Sequence, residues 1–309
     1  MIPTKLTCIG LAASLAAILP VVPAHAAGRT FVSSAGNDSN PCTITLPCRN
    51  LQAAYNAVAA NGEVDVLDPG NYGALTIIGP VNIQGHGWAG MSANSGAAIT
   101  INSAGATDKI TISGVVLDGL GIAGTTGIQF NSGGSLNVHD SVVRNFAKYG
   151  IQFEPSSSGT SQLYVSNTLV SNNGDNGIFI EPGGSGTTQG VLNRVEIANN
   201  QRNGILFQNN TQTVNFTVSD SVIANSAFDG IGILSGGGTT TIMMRNSTSA
   251  NNGTGGVEEL GGGGLIRITR STITANATGW SGNVESYGDN NIDGNGSANT
   301  EPMPPLPYH

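Results

Sequence analysis

The sequence predicts an all-β fold: a parallel β-helix, or β-solenoid, closed at its N-terminal end by one capping helix. Three observations predict it. Of 309 residues, 45 are Gly and 33 are Asn, whereas only 10% are charged and 5% aromatic. Gly costs about 1 kcal/mol at each helical position, so a mainly helical chain is excluded, and the glycines lack the three-residue period of collagen. Hydrophobic residues, rich in Ile and Val, still make up 39% of the chain, which argues against disorder. Finally, one short text recurs along the chain, and a repeat of this length signals a stacked architecture.

The elements follow in order. Residues 1–26 read as a signal peptide: Lys5 supplies the positive start, residues 11–22 the short apolar stretch, and Ala-His-Ala at 24–26 the cleavage site. Ser14 and Pro20 interrupt the apolar stretch, so no membrane span is expected after processing. The protein is thus expected to be secreted or periplasmic. Cutting before Ala27 removes one Lys and no acid, which takes the formal charge from −8 to −9. That charge opposes nucleic acid and anionic membranes as partners.

Residues 27–63 form an N-terminal cap. Cys42 and Cys48 are the two cysteines beyond the leader. In an oxidising compartment such a pair reads as one disulfide closing a short loop; the alternative is half of a metal site, with no further Cys to complete it. Residues 50–60 spell a helix with Leu51, Ala54, Tyr55 and Val58 on one face. A solenoid needs its end strands covered, and this helix is placed to cover them.

Residues 64–296 form the β-helix. The repeated text is apolar-x-apolar-x-Asn/Asp-Ser/Thr-x-apolar-x-Asn-x-x-x-x-Gly-Ile. One column holds Asn145, Asn172, Asn199, Asn225, Asn251 and Asn276; another holds Gly150, Gly177, Gly204, Gly230 and Gly256. Each copy contains short alternating apolar runs, none of helix length, which is one coil of a solenoid. Asn tolerates left-handed corners and stacks into amide ladders, and Gly suits tight corners. Val143, Val170, Ile197 and Ile223 form one inward column; Phe130, Phe153, Ile180, Phe207 and Ile233 form another. Ser141, Thr168, Ser221, Ser247 and Thr272 form a small polar column. Residues 297–309, with four Pro, read as a flexible tail.

The segment Asn-Pro-Cys-Thr at 40–43 with Pro-Cys-Arg-Asn-Leu-Gln at 47–52, the helix followed by Val-Asp-Val-Leu-Asp-Pro-Gly-Asn-Tyr at 64–72, and the Asn…Gly-Ile coils together resemble the secreted parallel β-helix proteins of the pectin lyase-like superfamily. The resemblance covers nearly all of the chain beyond the leader and implies the fold, a right-handed parallel β-helix. Its activities are diverse: pectate and pectin lyases, polygalacturonases, alginate epimerases, phage tailspikes and adhesins. An extracellular or surface polysaccharide is the partner it implies. Of the polygalacturonase segments, Gly85-His86-Gly87 alone has a counterpart here, and it stands before the repeats, where it reads as a turn. Arg267-Ile268-Thr269 lacks the Lys of another segment.

Stacking selects the candidate site. Glu154 and Glu181 occupy the same coil position, each followed by Pro, and Gln208 continues their column. At the strand spacing of about 5 Å two carboxylates could hold Ca²⁺ or act as acid and nucleophile on a glycoside; they could equally be solvated acids. Arg144 is the candidate base, beside a column of Ser171, Ala198, Ala224 and Ala250, with His139 and Asp140 at the preceding turn as binding residues. Lys148, Asp175 and Arg202 read as an alternating charge ladder. Two readings of function remain: a noncatalytic exported β-helix that binds polysaccharide or serves in the envelope or adhesion, and a polysaccharide lyase or glycoside hydrolase.

Overall fold

The computed structural model describes residues 27–303 and 305–307; the expected signal peptide lies outside the described residues. The chain is a parallel β-solenoid. Seventeen strands join into one long sheet that runs round a corner, and nine form a second sheet. A representative coil uses Ser135–His139 and Val142–Arg144 in the long sheet and Ile151–Phe153 in the nine-stranded one. Every strand pair is parallel and pairs one coil with the next.

Both inward columns form as expected. Val143, Val170, Ile197 and Ile223 stand in register, as do Phe130, Phe153, Ile180, Phe207 and Ile233. Phe130 and Phe153 stack at 4.4 Å. Glu259 continues the second column although it is acidic and 7% exposed. Its Oε1 accepts the amides of Gly261, Gly262 and Gly264, which satisfies a carboxylate that would otherwise be costly to bury.

The Asn and Gly columns divide their work differently from the sequence expectation. Asn145, Asn172, Asn199, Asn225 and Asn251 take left-handed corners with φ of 56–59°, but the amide ladder belongs to the next residue in each coil. Asn173 Nδ2 donates to Asn200 Oδ1 at 3.0 Å, Asn252 Nδ2 to Asn276 Oδ1 at 2.9 Å, and Asn276 Nδ2 to Asn295 Oδ1 at 3.0 Å. The Gly column lies over this ladder. A Cβ on Gly177 would stand 2.7 Å from Asn200 Nδ2, and one on Gly204 would stand 2.3 Å from Ile223 Cγ2. Close approach, rather than a left-handed corner, requires these glycines.

Two expected column members shift by one residue. Thr248 pairs with Thr272 and Ala250 with Thr274, so Ala275 takes the corner after Asn251, and Asn276 joins the buried ladder. Ser271 likewise replaces Thr272 in the small polar column, its hydroxyl accepting the Ser247 amide at 3.3 Å. The cause is a shorter turn. Ile233 pairs with Glu259, whereas Thr240 pairs with Gly264, so two residues are lost after Glu259.

The ends are closed. The helix is Leu51–Ala57, shorter than the expected 50–60, because Val58 is extended and pairs with Ala27. Strand pairing outcompetes helix propensity there. The helix buries Leu51 and Ala54, and Thr30 donates its hydroxyl to Ala54 O at 3.0 Å. Cys42 and Cys48 form the disulfide beside the first strand. At the other end the Pro-rich segment docks rather than hanging loose. Trp280 Nε1 donates to Thr300 O at 2.8 Å, Asn290 N to Glu301 Oε1 at 2.7 Å, and Leu306 N to Ser286 O at 2.7 Å.

Candidate functional site

Glu154 and Glu181 stand one coil apart at the ends of Ile151–Phe153 and Ile178–Ile180. They come together: burial first, then the Glu154 charge and a hydrogen bond between the two carboxyls, raises Glu181 above its ordinary value. Gln208 joins them, donating Nε2–H to Glu181 Oε1 at 2.5 Å, and Gln152 donates to Glu154 Oε1 at 2.6 Å. The acids therefore form part of an amide–carboxyl ladder on the outer face. They border an open depression of about 400 Å³ with Pro182, Gly183, Asn210 and Thr211. Carboxyls in mutual hydrogen-bond contact are closer than the roughly 5–5.5 Å at which a retaining glycosidase holds its pair.

Arg144 does not join His139 and Asp140. Its Nε donates to Asp118 Oδ2 at 3.0 Å, directly across from it in the neighbouring strand. Burial alone would raise Asp118, but the Leu120 amide, Asn145 and Arg144 outweigh it and hold the carboxyl below its usual range. His139 Nδ1 and Asp140 Oδ2 lie 2.8 Å apart at the corner, and Asn167 Nδ2 donates to Asp140 Oδ1 at 3.1 Å. These two bonds keep Asp140 low. In the charge ladder, Arg202 Nε lies 3.8 Å from Asp175 Oδ1, and its guanidinium lies over the Phe228 ring; Lys148 makes no ion pair among the described residues. His86 occupies a left-handed corner (φ 53°) and contacts Asp65 Oδ1 through Nε2 at 2.6 Å.

The larger recess lies on the outer face of the long sheet. Tyr164, Val191, Thr217, Met243, Arg267 and Glu285 stand in register on successive strands. Two open depressions, of about 350 and 380 Å³, adjoin along this column and share Thr217 and Met243. The first adds Gln189, Asn215 and Phe216; the second adds Arg245, Thr269, Arg270 and Tyr287. At the strand spacing the column spans about 24 Å. Arg267 is 2.8 Å from Glu285 and Arg270 is 3.7 Å from Asp289, whereas Arg245 is exposed and without an ion pair among the described residues. Tyr164 is 37% exposed. Tyr149, by contrast, stacks on Phe179 at 4.7 Å, and Trp280 packs against the core.

Sequence reasoning overlooked Arg245. Its signal is present: in the column Ser166, Asn193, Ser219, Arg245 and Thr269 it is the one long cation among small polar residues.

Among the described residues, no group of three or more His, Cys, Asp or Glu is placed to hold a metal ion. Ca²⁺ takes about six to eight oxygen ligands. The Glu154–Glu181 pair offers two carboxylates, and its flanking amides present nitrogen to them. As built, the pair does not fit Ca²⁺.

No helix among the described residues is long and apolar enough to cross a membrane. No family model matches the chain, and no curated protein does so. Among solved structures it is similar to pectate lyase Pel9A, with 15% identity and a TM-score of 0.54 over 86% of this chain and 70% of that one. It is also similar to the A-module of the Azotobacter vinelandii mannuronan C-5 epimerase AlgE4, with 17% identity and a TM-score of 0.46 over 88% of this chain and 86% of that one. The chain thus has a parallel β-helix fold like that of pectate lyase Pel9A.

Proposed function

We propose that this protein is an exported, noncatalytic β-helix that binds an extended extracellular polysaccharide along the outer face of its long sheet. The observation that supports this most is the run of two adjoining depressions between Tyr164 and Tyr287. Their lining combines what a sugar polymer needs. Aromatic faces meet the C–H faces of rings, amides and hydroxyls serve the ring hydroxyls, and arginines serve any acidic group. A column of residues at one per strand gives a ligand of repeating units a repeated set of contacts. Both depressions are open to solvent and adjoin along the column, which suits a chain rather than an enclosed small molecule.

The noncatalytic reading is supported by how the acids are used. Glu154 and Glu181 engage each other and two amides, and Arg144 engages Asp118. The lyase or hydrolase reading stands on the raised Glu181, since a carboxyl that keeps its proton can serve as a general acid. One experiment separates the two. Purified protein is incubated with pectate, alginate, hyaluronan and neutral glucans, with and without Ca²⁺, while binding, reducing ends and unsaturated-product absorbance are followed. Retention of a glycan without product is expected. Product formation would overturn the noncatalytic reading, and failure to bind any glycan would overturn the polysaccharide reading.

A further inference from the structure

A second pair of acids lies where the coils turn into the nine-stranded sheet. Asn176 and Asn203 occupy successive coils there, and both the backbone and side-chain N–H of Asn203 donate to Asn176 Oδ1, at 3.0 and 2.9 Å. The next coil places Asp229 in this column. Its backbone N–H still donates to Asn203 Oδ1 at 3.0 Å, and its Oδ1 accepts the Gly255 amide at 3.0 Å and the Thr254 hydroxyl. Asp229 has no side-chain N–H to extend the ladder, and it is only 5% exposed. Its other oxygen must find a donor or stand desolvated.

The group that meets it is another acid. Glu258 follows Phe179, Leu206 and Gly232 in the outer column and reaches back to hydrogen-bond with the Asp229 side chain. Two glycines make room. A Cβ on Gly255 would stand 2.0 Å from Glu258 Cγ, and one on Gly232 would stand 3.0 Å from Asp229 Oδ2. Other charges are few on the elements packed around the pair. Strands Ile231–Ser235 and Thr278–Ser281 carry none. Glu259 is held inward by its three glycine amides. On the preceding coil Arg202 lies over Phe228 and beside Asp175.

Two carboxylates in contact, with Asp229 buried and Glu258 half-buried, cannot both ionise cheaply. We propose that Asp229 and Glu258 form a pH-sensitive latch between adjacent coils, shut while the pair shares one proton and loosened when that proton passes to water. Burial first, then the Asp229 charge and the hydrogen bond, pushes Glu258 up to about 7 from an ordinary 4.5. An acid raised on folding stabilises the fold fully below its unfolded value, and that contribution falls as pH rises through the folded value. Stability should therefore drop between about pH 4.5 and 7 and level off above. The strand that carries Glu258 leads through a glycine turn into Gly264–Thr269, which bears Arg267 of the groove.

The test follows thermal unfolding of the intact chain from pH 4.5 to 8.5, with hydrogen exchange over residues 251–260 corrected for its intrinsic pH dependence. Wild type should lose Tm across the lower part of this range and lose protection at the Gly255 amide about fivefold or more. Asp229→Asn, which restores the residue type of its column, and Glu258→Gln should both lack the step. If one variant does not fold, the other and a ¹³C carboxyl titration of wild-type Glu258 still decide the matter. A wild-type profile superimposable on that of a folded variant, or a Glu258 titration at its ordinary value, would overturn the latch.

Discussion

The buried ladder from Asn173 to Asn295 and the outer face from Tyr164 to Glu285 arise from the same repeat, yet they behave oppositely. The ladder uses Asn in most coils, and Asn173, Asn252 and Asn276 each donate to the Asn of the next coil. The outer column changes at every coil, through Tyr, Val, Thr, Met, Arg and Glu. Repetition inside sets the stack, because each coil can bury its apolar face only against another. Variation outside is free of that demand, so ligand chemistry has room there. Departures are informative for the same reason: Ser226 stands where this ladder elsewhere has Asn, and Asp229 follows Asn176 and Asn203 in a second column.

The comparison can be broken hardest from within. Gly204→Ala would drive its Cβ to 2.3 Å from Ile223 Cγ2 and 2.7 Å from Gly230 O. Backbone on one side leaves little room to yield, so a loss of about 3 kcal/mol is expected in denaturant unfolding. An unchanged midpoint would mean that the coils are packed less closely than described.

The outer face should respond in binding rather than stability. Tyr164→Ala and Arg245→Ala are each expected to weaken retention of the bound glycan about tenfold, or about 1.4 kcal/mol, with less than about 0.5 kcal/mol change in stability, as is usual for exposed positions. Affinity electrophoresis together with thermal melts checks both halves.

Completing the ladder should strengthen it. Asn200 Nδ2 and Ser226 Oγ are buried without partners, because Ser is too short to accept from the amide one coil away. Ser226→Asn should supply that acceptor and stabilise by about 1 kcal/mol, raising Tm by about 2–4 °C. The smallest effect is expected at the outer acids. Glu181 is raised by burial and by Glu154, so wild type should lose a little stability as pH rises above the ordinary carboxyl range. Glu181→Gln should remove that loss, worth a few tenths of a kcal/mol for a partly exposed group. Superimposable pH profiles of wild type and Glu181→Gln would contradict it.

Most of the stack was legible in the sequence, because a buried position seen repeatedly at one spacing is a strong signal. The signal failed where the spacing changed. Two residues lost after Glu259 moved the corner from Asn276 to Ala275, and Asn-rich text concealed the slip. The helix end was misread because its last residues are decided by pairing with Ala27, far away in sequence. The site was less legible. The proximity of Glu154 and Glu181 followed from their column, but the engagement of Arg144 by Asp118 did not, since Asp118 lies in a coil of different length. Arg245 stood out only once its neighbours in the column were known to be small.

The most direct test of the central claim is the affinity of the wild-type chain and of Tyr164→Ala/Arg245→Ala for the glycan it retains, measured by titration calorimetry with product absorbance recorded in the same cell. Saturable wild-type binding, at least tenfold weaker in the folded double variant and without product in either, is the predicted result. Equal affinity in the two proteins, or unsaturated product from the wild type, would contradict the account.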